Sequence, residues 1–286
     1  MSTSSNAPPV CLTIAGNDPS GGAGLAADLK TFAARGVYGM AALTVATDCE
    51  TRAGVEEVEP MPPAFVRRQI ARACADIPPQ AAKTGMLFSE EIIRTVAEVV
   101  RERAFSAFVV DPVMTTRRGE PLLSEGAETA LAEALLPLTT VATPSVPEAE
   151  RLTGEPVQSR ADMESAAAQV VALGADAAVV TGGHFDTGGH FDTGGEEAGD
   201  CFFDGDAVQW LDAERVPRAM HGAGDTLSAA IATELAKGHA LPEAARQAKA
   251  YVTGAIRHAP ELGHGNGPLR HAWETEVVPE AAAASA

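Results

Sequence analysis

The sequence predicts an α/β fold: a central, mostly parallel sheet with helices on both faces. Two observations carry this. Short apolar runs alternate with helix-length segments along the chain, and the stretches that follow the runs are polar or rich in glycine. Sheets of this kind bind ligands beyond the carboxyl ends of their strands, so the polar stretches mark a ligand-binding edge.

Residues 10–15 form the first apolar run, and a loop rich in Gly and Pro follows at 16–24. A helix is predicted over 25–35, closed by Gly36. The glycine spacing is neither the dinucleotide GxGxxG nor the GxxxxGK[ST] phosphate loop. A second strand is expected at 41–47, with a polar loop at 48–54. Helices follow at 63–75 and 89–103, the latter with an Ile92, Val96 and Val99 stripe. Residues 82–86 lie between them. A strand at 107–113 contains Asp111-Pro112-Val113. Then come a helix at 125–136, a strand at 139–143, a short helix at 147–153, a helix at 161–173 and a strand at 175–181. Gly-Gly-His-Phe-Asp-Thr at 182–187 is repeated at 188–193, which reads as an insertion in a surface loop, where added length costs little. Residues 201–210 read as a hairpin around Asp204-Gly205. A long helix is expected at 241–258 and a loop at 263–268. Residues 1–9 and 274–286 read as disordered tails, leaving 10–273 as one domain.

The 286 residues carry a formal charge of −18, and Lys30, Lys83, Lys237 and Lys249 are the only lysines. So acidic a surface argues against nucleic acid and anionic membranes as partners. Cys11, Cys49, Cys74 and Cys201 lie far apart, with neither a CxxC pair nor a disulfide framework. No apolar run approaches the roughly 20 residues of a membrane span. Residues 1–9 lack the features of a secretory leader, so a cytoplasmic protein is expected.

The stretch richest in chemistry is His221-Gly222-Ala223-Gly224-Asp225-Thr226. Leu227, Ile231 and Leu235 make one helical stripe behind it, which puts the glycines at a helix N-terminus. There the N–H groups of Gly222, Ala223 and Gly224 are free to face an anion. Asp225 stands beside that anion as a carboxylate able to take a proton. This is equipment for phosphoryl transfer to an alcohol; a plain capping role is the competing reading of Asp225.

Several blocks then resemble one family in order: 14–40, Lys83-Thr84-Gly85-Met86-Leu87, Asp111-Pro112-Val113-Met114, 119–123, Gly182-Gly183-His184, 221–232 and 263–273. Together they resemble the hydroxymethylpyrimidine/phosphomethylpyrimidine kinases of thiamine biosynthesis, within the ribokinase-like superfamily. The resemblance implies a ribokinase-like domain, ATP with Mg²⁺, a small pyrimidine alcohol as substrate, and a homodimer. It implies that Gly222, Ala223 and Gly224 hold the triphosphate, with Asp225 as the base. It assigns Asp111 and Glu148 to Mg²⁺, Thr181 and Gly183 to the nucleotide, and Gly16, Asp28 and Met86 to the substrate pocket.

Four departures from that family stand out. Asp225 replaces a usual Cys. Asp48-Cys49-Glu50-Thr51 replaces Ala-Gln-Asn-Thr, whose Gln reads the ring, and one extra residue follows. Ser145 replaces the Asn of Asn-x-x-Glu. Thr181 replaces a Lys. A thiol cannot supply the paired donor and acceptor of an amide, so Asp48 or Glu50 is expected to take over recognition of the ring's amino group. The departures leave two other readings open: a pyridoxal/pyridoxine kinase, or a weakly catalytic vitamer-binding regulatory protein.

Overall fold

The computed structural model describes residues 7–49, 55, 57–116, 119–183, 197–218 and 220–275. In chain order the elements are β1 (Val10–Ala15), α1 (Gly24–Ala34), β2 (Tyr38–Leu43), β3 (Val45–Thr47), β4 (Val58–Pro60), α2 (Pro63–Asp76), β5 (Ala81–Thr84), α3 (Glu90–Arg103) and β6 (Ala107–Val110). They continue with α4 (Ala127–Ala130), β7 (Val141–Ala142), α5 (Val146–Thr153), α6 (Arg160–Ala172), β8 (Ala178–Thr181), β9 (Glu197–Phe203), β10 (Val208–Glu214), α7 (Ala223–Ala236) and α8 (Leu241–Arg257).

Eight strands form one sheet in the order β10-β9-β8-β7-β6-β5-β1-β2. The pairs from β2 across to β8 are parallel, and β9 and β10 add an antiparallel edge. The predicted α/β class is therefore the one observed. Strand alternation sorts side chains to two buried clusters. Leu12, Ile14 and Ala82 face the α2, α3 and α6 side, whereas Cys11, Ala81 and Val109 face α1, α7 and α8. The chain steps from β1 to β2 on one side, then to β5 on the other. Strand order reverses between β1 and β5, and an open sheet places its ligand crevice at such a switch point.

Several boundaries differ from the sequence reading. The strand expected at 41–47 is two strands in two sheets. Thr44 makes the break: its N–H donates to Ala15, its hydroxyl to Met86, and its carbonyl accepts from Met61. Residues beyond it pair with β4 as a separate two-stranded hairpin. Residues 82–86, read only as lying between helices, supply β5 in the middle of the sheet. The strand expected at 107–113 stops at Val110, because Pro112 cannot donate to a ladder. The helix expected at 125–136 is one α turn followed by a π turn (Leu131–Leu135) and a 3₁₀ turn (Leu136–Leu138) that contains Pro137. Val141–Ala142 is all that remains of the strand at 139–143. The β9–β10 hairpin has a longer loop than a tight Asp-Gly turn: Asp204 accepts from the N–H groups of Asp206 and Ala207, with Gly205 at φ +90°.

Near the ends, the carbonyl of Pro9 accepts from Tyr38, and Arg35 Nη1 pairs with Glu274 at 2.5 Å. The repeated hexapeptide, apart from Gly182 and Gly183, lies outside the described residues.

Candidate active site

The crevice begins where β1 and β5 end. A Cβ on Gly16 would stand 3.4 Å from the Val45 carbonyl and 3.7 Å from Met86 Sδ, so the two predicted pocket residues Gly16 and Met86 do meet, beside the first residue of the hairpin, Val45. Hydrogen bonds stitch the loop after β1 to the hairpin: Asn17 N–H donates to Val45 (3.0 Å), and Asn17 Oδ1 accepts from Thr47 (2.9 Å).

On the other side stands the start of α7. Its first intrahelical bond runs from Thr226 N–H to the Gly222 carbonyl (3.0 Å), which leaves the N–H groups of Ala223, Gly224 and Asp225 ahead of the ladder. The two glycines of the turn do different jobs. Gly222 has φ +85°, and a Cβ there would run into the Gly22 carbonyl, so backbone packs directly on backbone between the two Gly-rich loops. Gly224 is helical, and its Cβ would meet nothing closer than Asp111 Oδ2 at 3.9 Å. It leaves space on the side facing Asp111.

Beneath the turn lies a buried charge network. Lys83, on β5, is fully buried; its Nζ is 2.8 Å from Asp28 Oδ1 and 3.6 Å from Asp225 Oδ1. Thr13 donates to the other Asp28 oxygen at 2.6 Å. Burial would push the Lys83 ammonium down, but Asp28, Asp225 and Asp111 together hold it well above the ordinary lysine range. Burial pushes Asp28 the other way, up to about 6. The two partners thus pull apart, and we assign the ionised pair: a neutral Asp28 would leave the ammonium buried without its closest counter-charge. Asp28 is 0% exposed, so it sits behind the pocket rather than on its lining.

Asp111 and Glu148 occupy the ends of β6 and the start of α5. Ser228, one turn along α7 from Asp225, donates to Asp111 Oδ2 at 3.0 Å. Glu148 accepts from the Ser145 N–H (2.8 Å) and hydroxyl (2.7 Å) and from Met114 N–H (3.3 Å). Ser145 thus closes a capping box at α5 in place of the family's Asn. Burial raises both carboxyls, Asp111 strongly. The buried hydroxyls of Thr84 and Thr143, at the ends of β5 and β7, have no hydrogen-bond partner among the described residues. Two buried, mutually repelling carboxylates flanked by orphan hydroxyls form an all-oxygen donor set, which suits Mg²⁺.

A second ion pair closes the crevice. His221 Nε2 lies 2.9 Å from Asp18 Oδ2 and 3.9 Å from Cys49 Sγ. Burial opposes charge on the imidazole, but Asp18 outweighs it and raises His221 to about 10. Burial likewise opposes charge on Asp18, and bonds from His221, Ser20 and Ala23 bring it down to about 2. Asp18, Cys49 and His221 offer ligand atoms within 4.8 Å of one another. Yet the Asp18 carboxylate already accepts from Ser20, Gly22, Ala23 and His221, so it serves as a clasp between two loops.

The remaining sequence candidates are dispersed. Asp48 is exposed, and its Oδ1 accepts from Glu57 N–H at 2.7 Å, which closes the hairpin. Cys49 is 6% exposed and turned toward His221. Glu50 lies outside the described residues. Thr181 ends β8, its N–H donating to Pro144, and Gly183 is exposed beyond it. Below them Asp200 accepts from Gly182 N–H (3.0 Å) and pairs with Lys249 (2.8 Å).

Residues 18–270 match the phosphomethylpyrimidine kinase family. The chain belongs to that family. A hydroxymethylpyrimidine/phosphomethylpyrimidine kinase of Streptomyces coelicolor is 44% identical over 267 residues, covering 93% of this chain and 95% of that one. Among solved structures, the pyridoxal kinase of Staphylococcus aureus in complex with AMP-PCP and pyridoxal superposes with a TM-score of 0.84 at 35% identity, covering 95% of this chain and 96% of the other. The phosphomethylpyrimidine kinase of Clostridium difficile gives 0.75 at 37% identity, covering 87% and 99%. The ribokinase-like fold and the phosphotransferase class implied by the sequence motifs thus hold for this chain, and the pyridoxal kinase neighbour is solved in complex with AMP-PCP and with ADP.

Sequence reasoning named the α7 turn, Asp111, Glu148, Gly16 and Met86. It did not assign roles to Lys83, Ser228, Asp18 or His221, nor to the hydroxyls of Thr84 and Thr143. For Lys83 one signal was present: a lysine inside Ala-Ala-Lys-Thr-Gly has no exposed element to belong to.

Proposed function

We propose that the protein transfers the γ-phosphoryl group of ATP to the hydroxymethyl oxygen of 4-amino-5-hydroxymethyl-2-methylpyrimidine, then to the resulting monophosphate, for thiamine biosynthesis. The observation that carries this is Asp225 in the first turn of α7, beside free backbone N–H groups and 3.6 Å from the Lys83 ammonium.

In the first transfer Asp225 accepts the hydroxyl proton as the alcohol oxygen attacks phosphorus. The N–H groups of Ala223 and Gly224 take charge that develops on the phosphoryl oxygens. Asp111 and Glu148 would hold Mg²⁺, with the Thr84 and Thr143 hydroxyls placed to bond its waters. Bound there, the ion neutralises triphosphate charge. Met86, half-buried beside Gly16 with Val45 packed behind, is the apolar group offered to a flat ring. The second transfer needs less of Asp225, because a phosphate monoester is already ionised near neutrality, its second pKa being about 6. The reaction is read as cytoplasmic and the enzyme as a homodimer, as the family resemblance implies.

A pyridoxal kinase activity is the second reading. The likeness to a pyridoxal-bound kinase and Cys49 in the ring-reading loop favour it. Incubating the protein with Mg²⁺-ATP and each alcohol, with mass spectrometry of products, decides. The pyrimidine mono- and diphosphates are expected; pyridoxal phosphate alone would replace the first reading with the second, and ATP turnover with neither would leave only a vitamer-binding role.

A further inference from the structure

We propose that Lys83 is a positioning residue for the Asp225 carboxylate, pinned from behind by Asp28 and Thr13. This rests on the reading of Asp225 as the base.

Strand alternation puts Lys83 on the same face of β5 as Ala81, toward α1 and α7. Asp28 comes from α1 and Asp225 from α7, and both reach the same ammonium. The environments of the two carboxylates differ. Asp28 is fully buried and bonded through both oxygens, to Thr13 at 2.6 Å and Lys83 at 2.8 Å. The Asp225 side chain is 17% exposed and stands at the looser 3.6 Å. One carboxylate therefore fixes the ammonium, and the ammonium fixes the other, leaving an Asp225 oxygen for the crevice. Among the described residues Lys83 is the cation within ion-pair distance of Asp225.

Gly85 keeps the two apart from any obstruction. A Cβ there would stand 3.5 Å from Asp225 Oδ1, 3.6 Å from Lys83 Nζ and 3.0 Å from Ala15 Cβ. Other titratable groups face the pair as well. Asp111 acts on Lys83 and Asp225, Glu148 on Asp225, and the buried His271 feels Asp225 from the C-terminal segment. Three carboxylates thus surround Asp225, and Lys83 is the charge that opposes their repulsion.

A buried ion pair can also be purely structural, so the test separates the roles. Lys83→Met alone strands Asp28 in the core. Lys83→Met with Asp28→Leu removes both buried charges at once and keeps the fold testable by its melting curve. In that double variant, kcat for the pyrimidine alcohol is expected to fall by about 10²-fold or more, the scale of a misplaced general base. Turnover of the monophosphate, which needs no such proton removal, should fall far less; a merely structural defect would depress both. Asp225→Asn is run beside it. Slow Asp225→Asn with a double variant of wild-type rate, or with both substrates depressed equally, overturns the inference alone. Asp225→Asn at the wild-type rate overturns the base reading, and the inference with it.

Discussion

The crevice has two unlike walls. The wall made by α1, β5, β6 and α7 holds Asp28, Lys83, Asp111 and Ser228, all buried and each with a named partner. The wall made by β3 and β4 is a two-stranded hairpin outside the main sheet, with Asp48 exposed and Cys49 in place of the family's amide. On the proposed reading, the first wall carries groups that would act on any alcohol and any triphosphate. The second carries the groups that, on that reading, would tell one ring from another. Departures from the family fall on both, but their consequences differ. Asp225 for Cys keeps a proton acceptor, and Ser145 for Asn keeps a capped α5, whereas Cys49 for Gln loses a donor and an acceptor together.

The sharpest way to break this division is Asp225→Asn. It preserves shape and removes basicity, so kcat on the alcohol should fall about 10²–10⁴-fold with ATP affinity retained, while the monophosphate reaction loses much less. Equal losses on both substrates would show that Asp225 does more than take a proton.

The two glycines of the turn give the next effect. Gly222→Val forces a β-branched side chain into the left-handed region and against the Gly22 carbonyl, at a cost of about 2–6 kcal/mol, read as a lower Tm. Gly224→Ala has room and a better helix propensity, so Tm should hold or rise. Turnover should still fall about 10²-fold, because the new methyl faces Asp111 across the space the phosphates need. Normal turnover in folded Gly224→Ala would place the triphosphate elsewhere.

The clasp between the walls should show itself through pH. His221 is raised from 6.5 to about 10 in the folded state, so its stabilisation is complete below 6.5 and is lost as pH rises through 10. Asp18 is lowered from 3.8 to about 2, so its share is complete above 3.8 and is lost as pH falls through 2. Between pH 4 and 6.5 the Tm of His221→Gln should lie about 3–10 °C below wild type. The gap should narrow toward pH 10. A gap independent of pH would mean that the pair is not ionic.

Much of the first wall is legible in the sequence. Gly222, Gly224 and the stripe behind them announce a helix N-terminus, and Asp225 follows from it. The rest was hidden for definite reasons. β5 is four residues with two alanines and a lysine, a poor strand signal by composition, and the burial of Lys83 depends on Asp28 and Asp225, which lie 55 residues before and 142 after it in the chain. The break at Thr44 depends on carbonyls of Ala15 and Met86, which periodicity cannot see. The hairpin bond from Glu57 N–H to Asp48 Oδ1 is a local contact that the pattern of the loop does not announce.

The smallest expected change is the one that bears on the second wall. Cys49→Gln should raise kcat/KM for the aminopyrimidine relative to pyridoxal, by about 10-fold, through restored amide bonds. Set beside Asp225→Asn, it tests the division between the walls most directly, with kcat/KM measured for both alcohols in both variants. The account predicts that Asp225→Asn slows both alcohols by similar factors and leaves their ratio unchanged, while Cys49→Gln shifts the ratio at a preserved kcat. A ratio moved by Asp225→Asn and untouched by Cys49→Gln would contradict it.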